Sequence, residues 1–360
     1  MAGEAAVDDG GRGVVIGRSQ WKWLLVSIAF SLIVLALVLH FTVNKETFLY
    51  LRQLKPFFLV LAIAFHFLAY GFWAMRIKVM ARSLGHRVKF TYCLNLVMAN
   101  LLAGAITPSQ AGGEPVRIHQ LYRDNVPLGD ATAIVVVERV LDAIVLGVAA
   151  IAAFFILGKM VEDIPPGLSL FILFAWVLMV IFIGAFILSV RNPDLLKRFF
   201  KRASRPFMKR WDLRRIERLV ASIDREVDNF HDSMSRFVAH GRAGLLGGTL
   251  FTVLFWFSEF IIVSFILMGL GAQPYYLLSL VAQIIIAVIM MIPLTPGSSG
   301  IAELSATSIY GLFIPSSIVG ILVVVWRVIF YYLNIIVGII ATIPVLRREM
   351  VLREEEHPKV

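Results

Sequence analysis

Long apolar segments alternate with short polar loops along this chain. The apolar segments cover about 21–42, 56–75, 90–106, 131–157, 168–190, 243–270, 276–293 and 317–345. Most of them reach, or come close to, the roughly 20 residues that a helix needs to cross the hydrocarbon core of a bilayer. The pattern therefore predicts an all-α polytopic membrane protein with about eight apolar segments.

The composition agrees with this class of protein. Of the 360 residues, 59% are hydrophobic and 16% are charged, whereas a soluble domain carries about a quarter charged residues. The first 18 residues are predicted to be disordered, and the segment at 21–42 lacks a signal-peptide cleavage pattern. The single cysteine, Cys93, lies in an apolar segment and is predicted to be a packing residue.

Basic residues concentrate in a few loops and give the chain a net charge of +10. The basic loops are 76–89, which begins with Arg76 and contains no acid, 117–130, which begins with Arg117, and 191–242. Cytoplasmic loops of membrane proteins carry an excess of Lys and Arg, so these loops and both termini are predicted to be cytoplasmic. The distribution explains the positive charge without nucleic-acid binding.

The same charges predict where the chain crosses the membrane. Segment 90–130 begins and ends on the cytoplasmic side, and segment 276–314 begins and ends outside, so neither is a single crossing. The charges therefore predict six full spans and two re-entrant helical hairpins. The hairpins are predicted to enter from opposite faces, as in inverted-topology repeats. The alternative is eight plain crossings.

The predicted organisation has two repeats joined by a linker. Its regions are a disordered N-terminus (1–18), a first repeat (19–190) with a re-entrant loop at 107–116, a linker (191–242), a second repeat (243–346) with a re-entrant loop at 295–303, and a cytoplasmic tail (347–360). The linker is basic and amphipathic, which predicts a helix resting on anionic lipid headgroups. The alternative is a surface that recruits a specific lipid or partner.

The two predicted re-entrant loops share the motif Thr-Pro-x-x-x-Gly, and a Glu follows each motif within three residues. Irregular backbone there leaves N–H groups free, and the positive end of the next helix favours an anion such as a lipid phosphate. The alternative is that the prolines and glycines only shape a turn. The candidate loop residues are Thr107, Pro108, Gly112, Gly113, Thr295, Pro296, Gly297 and Gly300.

Ionisable residues within or beside the apolar segments are the second source of candidates, because a charge in a membrane is costly and usually functional. They are Glu114, Glu138, Arg139, Asp142, Glu259, Glu303 and Arg327, with Tyr331 one turn after Arg327. A guanidinium suits a phosphate because it donates paired hydrogen bonds. The alternative is a buried ion-pair network that holds the helices together.

Catalytic signals are weak in this chain. The sequence has no Walker loop, and its seven histidines form no metal pattern with Cys or Asp. We therefore expect no cofactor, no metal site and no enzymatic activity.

Four stretches together resemble one family: TPSQAGGEPVRI, ERVLD, TPGSSGIAE, and a late WR followed by aromatic residues and NIIVG. This is the lysylphosphatidylglycerol synthase transmembrane-region family, also called flippase-like, and the resemblance covers about 20–345. It implies lipid translocation. The soluble aminoacyl-transfer domain of the synthases is not expected here, so lysyl transfer is not implied.

The function that we expect is movement of an anionic phospholipid or a polyprenyl-phosphate-linked lipid between leaflets, through a polar cavity at mid-membrane. Arg139 and Arg327 are the expected anion partners, and the carboxylates beside them are expected to hold or gate them. A secondary transporter of a small solute and a non-transporting scaffold are the alternatives. The expected location is the cytoplasmic (inner) membrane of a prokaryote, and a homo-oligomer is compatible with the sequence.

Overall fold

A computed structural model describes residues 18–105, 107, 112–160, 166–192, 194–195, 197–198, 202, 213–290, 295 and 297–342. Within these ranges all regular secondary structure is helical. The helices are α1 (Arg18–Thr42), α2 (Lys45–Arg52), α3 (Pro56–Ser83), α4 (Phe90–Ala105), α5 (Gly113–Arg123), α6 (Leu128–Met160), α7 (Pro166–Arg191), α8 (Leu213–His240), α9 (Arg242–Gly269), α10 (Tyr276–Met290), α11 (Ile301–Tyr310) and α12 (Ser316–Thr342). Helix α12 contains a π-helical turn at Val328–Tyr332.

The described residues of each predicted apolar segment lie in one of these helices, apart from residue 270, so the prediction of an all-helical polytopic chain is confirmed. Four described helices are long and apolar enough to cross a membrane: Leu24–Thr42, Pro56–Ser83, Arg242–Gly269 and Ser316–Thr342. The short helix α2 was not predicted from the sequence. It begins after Asn44, whose Oδ1 accepts a hydrogen bond from the Thr47 N–H at 3.1 Å, and this cap satisfies an N–H at the helix start.

Two helix–loop–helix hairpins lie where the sequence predicts them. Helix α4 packs against α5, and α10 packs against α11. We call the connection between α4 and α5 (106–112) the first tip, and the connection between α10 and α11 (291–300) the second tip. The hairpins are confirmed as helix pairs; that they re-enter a membrane from opposite faces, with six crossings and cytoplasmic termini, stays a prediction.

The basic loop that the sequence predicts at 76–89 is largely helix, which corrects that prediction. Helix α3 continues to Ser83, and Arg76 lies inside it with no exposed surface. The helix continues because Ile77, Met80 and Ala81 extend its buried face past the arginine. Arg117, which the sequence analysis placed in a basic loop, is likewise fully buried on α5.

The halves of the chain, α1–α7 and α9–α12, meet in one of the two main apolar cores. The first core lies among α3, α4, α6 and α8 and includes Cys93, which is fully buried and free, as predicted for a packing residue. The second core is built mainly from α9–α12 and also contains Leu35 of α1, Ala62 of α3 and three residues of α6. Helix α3 packs along α9 more extensively than any other pair of helices described, so these two helices hold the halves together.

The predicted amphipathic linker contains a long helix, α8. Among its described apolar side chains, Met234 and Phe237 are buried in the first core, Val227 is buried, and Phe230 packs against that core while partly exposed. Arg236 donates to Asp130 of α6 at 2.6 Å. The apolar face of this part of the helix therefore packs on the protein. Contact of the linker with lipid headgroups stays a prediction, and the predicted terminal regions fall almost wholly at 1–17 and 343–360, outside the described residues.

Candidate functional site

The two tips touch each other. The Gly297 N–H of the second tip donates a hydrogen bond to the carbonyl oxygen of Thr107 in the first tip, at 3.2 Å. Gly297 has φ +57°, and a Cβ there would lie 2.7 Å from Cε2 of Tyr331 and 3.0 Å from the carbonyl oxygen of Ala105. Glycine is required at this position because a side chain would separate the two tips.

The two motif threonines stabilise their tips in different ways. Thr107 Oγ1 accepts from the Gly112 N–H at 2.8 Å and donates to the Ala103 carbonyl at 2.9 Å. Thr295 Oγ1 donates to the Ser299 carbonyl at 2.8 Å. The two motif prolines, Pro108 and Pro296, lie outside the described residues.

Glycine at the start of α5 also permits close packing. Gly113 is buried and packs directly against the Asn100 side chain of α4. A Cβ at this position would overlap the Asn100 amide group. The first tip therefore folds tightly against α4, which sets the position of Glu114, the next residue along the chain.

Behind the first tip lies a cluster of three arginines and three carboxylates from α3, α5 and α6, which we call the first-half cluster. At its centre Arg76 donates from Nε to Glu138 at 2.8 Å and from Nη1 to Asp142 at 2.7 Å. Thr252 and Trp256 of α9 also contact this centre: Thr252 Oγ1 accepts from Arg76 at 3.1 Å, and Trp256 Nε1 donates to Asp142 at 3.0 Å. A buried charge is costly unless it is paired, and here all three charged groups are paired and buried.

The outer part of this cluster is looser. Arg117 Nη1 donates to Glu138 at 2.5 Å, but its Nη2 lies 3.9 Å from Glu114, and Nε and Nη2 have no hydrogen-bond partner within the described part of the chain. Arg139 lies 3.1 Å from Asp142 and 3.7 Å from Glu114. Its side chain is 35% exposed and that of Glu114 is 26% exposed. This pair is therefore the accessible edge of the cluster.

An indole ring lies among the three arginines. The guanidinium carbons of Arg117, Arg76 and Arg139 lie 5.2, 5.8 and 5.9 Å from the ring of Trp73. Cations are attracted to the face of an aromatic ring, most strongly to Trp. The ring supports three like charges that would otherwise repel one another.

The second tip has its own cluster, which is closed. Arg327 Nε donates to Glu303 Oε1 at 2.8 Å, and Arg327 Nη2 donates to Ser299 Oγ at 3.0 Å. The other oxygen of Glu303 accepts from the Gly300 N–H at 2.6 Å, which caps α11. Ser31 of α1 donates to Glu303 Oε1 at 2.6 Å. Arg327 and Glu303 are both buried.

Tyr331 connects this second cluster to the tip contact. Its ring lies against the Arg327 guanidinium, 4.2 Å from ring centre to guanidinium carbon. Its hydroxyl forms a 2.6 Å hydrogen bond with Ser27 of α1. The same ring borders Gly297, so the phenol packs between the arginine and the place where the tips meet.

The two clusters are built on the same plan. Arg139 is the twelfth residue of α6, and Arg327 is the twelfth residue of α12. Each pairs with a glutamate in the first turn of the short helix that follows its tip, Glu114 in α5 and Glu303 in α11. This correspondence agrees with two repeats, although their opposite orientation in a membrane is a prediction.

Most of the charged residues in the two clusters were predicted as candidates from the sequence. Arg76, Arg117 and Trp73 were not candidates, since the two arginines were interpreted as loop charges. The buried apolar face after Arg76 and the position of Arg117 four residues after Gly113 were the available signals. Among the described residues, no group of three or more His, Cys, Asp or Glu side chains is placed to hold a metal ion.

Long apolar helices, two broken hairpins that meet at their tips, and buried ion pairs within the helices define a polytopic helical membrane protein. The family model for the lysylphosphatidylglycerol synthase transmembrane region matches residues 24–338. The chain belongs to this family, as its motifs indicated.

Curated relatives are membrane proteins of archaea. A UPF0104 membrane protein of Archaeoglobus fulgidus is 31% identical over 317 residues, which cover 88% of this chain and 95% of the relative. A UPF0104 membrane protein of Methanocaldococcus jannaschii is 24% identical and covers 91% of this chain and 95% of its own length. A third, from Methanothermobacter thermautotrophicus, is 25% identical over 70% of this chain and 75% of its own length.

Proposed function

We propose that this protein moves an anionic lipid, a phospholipid or a polyprenyl-phosphate-linked lipid, between the leaflets of the cytoplasmic membrane of a prokaryote. The observation that carries the proposal is the accessible edge of the first-half cluster. Arg139 is 35% exposed there, whereas Arg76 and Arg117 behind it have no exposed side-chain surface. An accessible arginine backed by two buried ones suits a phosphate headgroup.

The hydrogen bonds of Arg139 leave room for a phosphate. Its Nη2 is held by Asp142 at 3.1 Å, while its Nη1 lies 3.7 Å from Glu114 and its Nε has no hydrogen-bond partner in the described residues. A headgroup phosphate that approaches this edge would accept from Nη1 in place of Glu114. Glu114, which is 26% exposed, would turn away because two anions compete for one guanidinium.

The charge balance of the cluster supports this exchange. Three arginines face three carboxylates, so the cluster is neutral when Glu114 is in place. When Glu114 leaves, the remaining groups carry one net positive charge, which matches a singly charged phosphodiester. Release of the lipid would let Glu114 return.

The acyl chains would stay in the bilayer while the headgroup crosses. Helix α6, which carries Arg139, also exposes Ile144, Val148, Ile151 and Phe155 at helical spacing. Exposed apolar surface of this kind suits contact with lipid tails or another apolar partner. In this proposal Arg327 and Glu303 hold the second tip against the first, and a direct phosphate contact of Arg327 stays a prediction from the sequence.

The two alternatives make different demands on the arginines. A scaffold needs both arginines buried and paired, which describes Arg327 but not the exposed Arg139. A transporter of a small phosphate-containing solute would use the same arginine, so only the substrate distinguishes it from a lipid translocase. We propose no catalytic activity, and we propose that the basic linker lies near anionic headgroups.

The test is reconstitution of the full chain into liposomes with fluorescent phosphatidylglycerol, phosphatidylcholine or a polyprenyl phosphate. We expect the wild type to move an anionic lipid, and Arg139→Ala to reduce the rate by about tenfold or more, since hydrogen bonds to a charged group contribute about 1.5–3 kcal/mol. Arg82→Ala removes an exposed arginine at the end of α3 and is the matched control. Equal rates for wild type and Arg139→Ala would contradict the site.

The substrate class is tested in the same liposomes. Failure to move any of the three lipids, combined with uptake of inorganic phosphate or glycerol phosphate, would favour the solute transporter. Movement of phosphatidylcholine as fast as phosphatidylglycerol would contradict a requirement for an anionic headgroup, because the choline cation cancels the charge of the phosphate.

A further inference from the structure

A further polar cluster lies between α3, α9 and α12. His66 of α3 places Nδ1 2.9 Å from Glu259 Oε1 of α9, and Nε2 2.9 Å from Asn334 Oδ1 of α12. The Tyr70 hydroxyl lies 2.6 Å from the same Nε2 and also contacts Asn334 Oδ1. His66, Tyr70 and Glu259 are buried. Ionisable groups at such depth in a membrane protein are functional candidates.

We propose that His66 and Glu259 form a proton-binding site that couples proton movement to the lipid translocation proposed above. The proton would come from water on one side of the membrane, bind to His66, and leave to water on the other side. The inference of coupling rests on the proposed function, whereas the proton site itself does not.

The hydrogen bonds indicate which protonation state the structure describes. The Asn334 Nδ2 group donates to the Phe330 carbonyl at 2.7 Å, which fixes the amide so that Oδ1 faces the imidazole. A carboxylate and an amide oxygen only accept hydrogen bonds, so an imidazolium satisfies both ring contacts, with Nδ1–H toward Glu259 and Nε2–H toward Asn334. In the proposed site this is the state that holds the proton.

The cluster can also accommodate the state without the proton. A neutral His66 would keep Nδ1–H toward Glu259 and present a lone pair at Nε2. The Tyr70 hydroxyl, already 2.6 Å from Nε2, would then donate to it instead of to Asn334. One tyrosine thus provides a hydrogen bond in either state, and a purely structural ion pair would not require this arrangement.

The last helix links the proton site to the second cluster. Phe330, whose carbonyl orients Asn334, lies in the π-helical turn Val328–Tyr332, and its ring lies 4.9 Å from the ring of His66. Arg327 directly precedes this turn and Tyr331 lies within it. Such turns occur often at functional sites. A change at Asn334 would therefore reach Arg327 through about two turns of helix.

The charged and titratable groups around His66 are few in the described ranges. Glu259 faces it from α9 and Tyr70 from α3, and α12 contributes the neutral amide of Asn334. The next charge on α3 is Arg76, ten residues away or about 15 Å along the helix. Arg76 is paired with Glu138 and Asp142. Protonation of His66 therefore depends mainly on Glu259.

Nitrogen NMR of histidine-labelled full-length protein in lipid nanodiscs tests the proton site. We expect one signal, absent in His66→Gln, to have imidazolium character at low pH and to change to the neutral form as the pH is raised. Tyr70→Phe keeps the ion pair but removes the donor that serves neutral His66, so its transition should move to higher pH. The exposed His40→Gln is the matched control. A His66 signal that never changes would overturn the inference.

Liposomes with an imposed pH difference test the coupling. We expect the gradient to change the rate of phosphatidylglycerol movement several-fold in wild type and His40→Gln, and to have no effect in His66→Gln or Glu259→Gln. Wild-type movement that ignores the gradient would overturn the coupling. A wild type that moves no lipid at all would contradict the proposed function, and the NMR titration would still decide whether the proton site exists.

Discussion

The two clusters at the tips differ in how tightly the same pair is held. In the second half the Glu303 carboxylate and the Arg327 guanidinium are buried 2.8 Å apart. In the first half the equivalent pair, Glu114 and Arg139, is 3.7 Å apart and partly exposed. The difference is the basis of the division of roles that we propose, in which one pair fixes a tip and the other pair meets the ligand.

Neighbouring groups explain the difference. Glu303 also caps its helix at Gly300 and accepts from Ser31 of α1, so both carboxylate oxygens are occupied. Glu114 has no such cap, and its Oε2 lacks a hydrogen-bond partner within the described ranges. Arg139 has one short ion pair, with Asp142 at 3.1 Å, and Asp142 also pairs with Arg76. Arg139 is therefore held less tightly than Arg327.

The largest expected effect comes from removing each arginine in turn. Arg327→Gln should lower the free energy of unfolding by about 3–5 kcal/mol, because it leaves Glu303 as an unpaired buried charge. Arg139→Gln should lower it by only about 1 kcal/mol while reducing lipid movement, because Arg139 is partly exposed and Asp142 keeps its hydrogen bonds from Arg76 and Trp256. Thermal unfolding in detergent measures both. Equal losses of stability would show that the two ion pairs contribute equally to folding, and would contradict the proposed difference between them.

A smaller effect is expected at the contact between the tips. Gly297→Ala places a methyl group 2.7 Å from Tyr331 at positive φ, and should lower the free energy of unfolding by about 1–3 kcal/mol. The matched control is Gly71→Ala in α3, where a Cβ meets nothing within 4 Å and the change should be neutral or stabilising. If both variants unfold at the same temperature, the tips do not depend on this glycine.

The smallest effect separates the two motif threonines. Thr107→Val leaves the Gly112 N–H without its acceptor and should cost about 1–2 kcal/mol. Thr295→Val removes a donor to a single carbonyl, and a carbonyl left with one fewer hydrogen bond costs less than an orphaned N–H. The unfolding temperatures should therefore rank wild type, Thr295→Val, then Thr107→Val. The reverse order would contradict the assigned roles.

Much of the architecture was predictable from the sequence because it follows from local rules. Apolar length gave the long apolar helices, the amphipathic pattern gave α8, and the loop charges together with the motif of Thr, Pro and Gly located both hairpins. Local rules also located Arg139, Arg327 and their glutamates, since a charge in an apolar segment is conspicuous. The same rules gave the two arginines equal roles, because the exposure that separates them depends on α1, which contributes Ser31 to only one cluster.

The missed residues depend on distant contacts. Counting charges near the ends of spans assigned Arg76 and Arg117 to loops. Both are buried because they pair with Glu138 of α6, which lies more than twenty residues further along the chain in each case. His66 was one of seven scattered histidines because its partner Glu259 is 193 residues away. Pairing at such separations is not encoded in any short stretch of sequence.

The hydrogen bond from Gly297 to Thr107 also makes the Gly297 amide a reporter of contact between the two tips. Its hydrogen can exchange with deuterium from the solvent only while the two tips are apart. Substrates that bind between the tips would change that exchange, whereas changes in the outer surface of the protein would not. Separation of the two tips can therefore be followed by hydrogen exchange at the Gly297 amide in unmodified protein, without an attached probe.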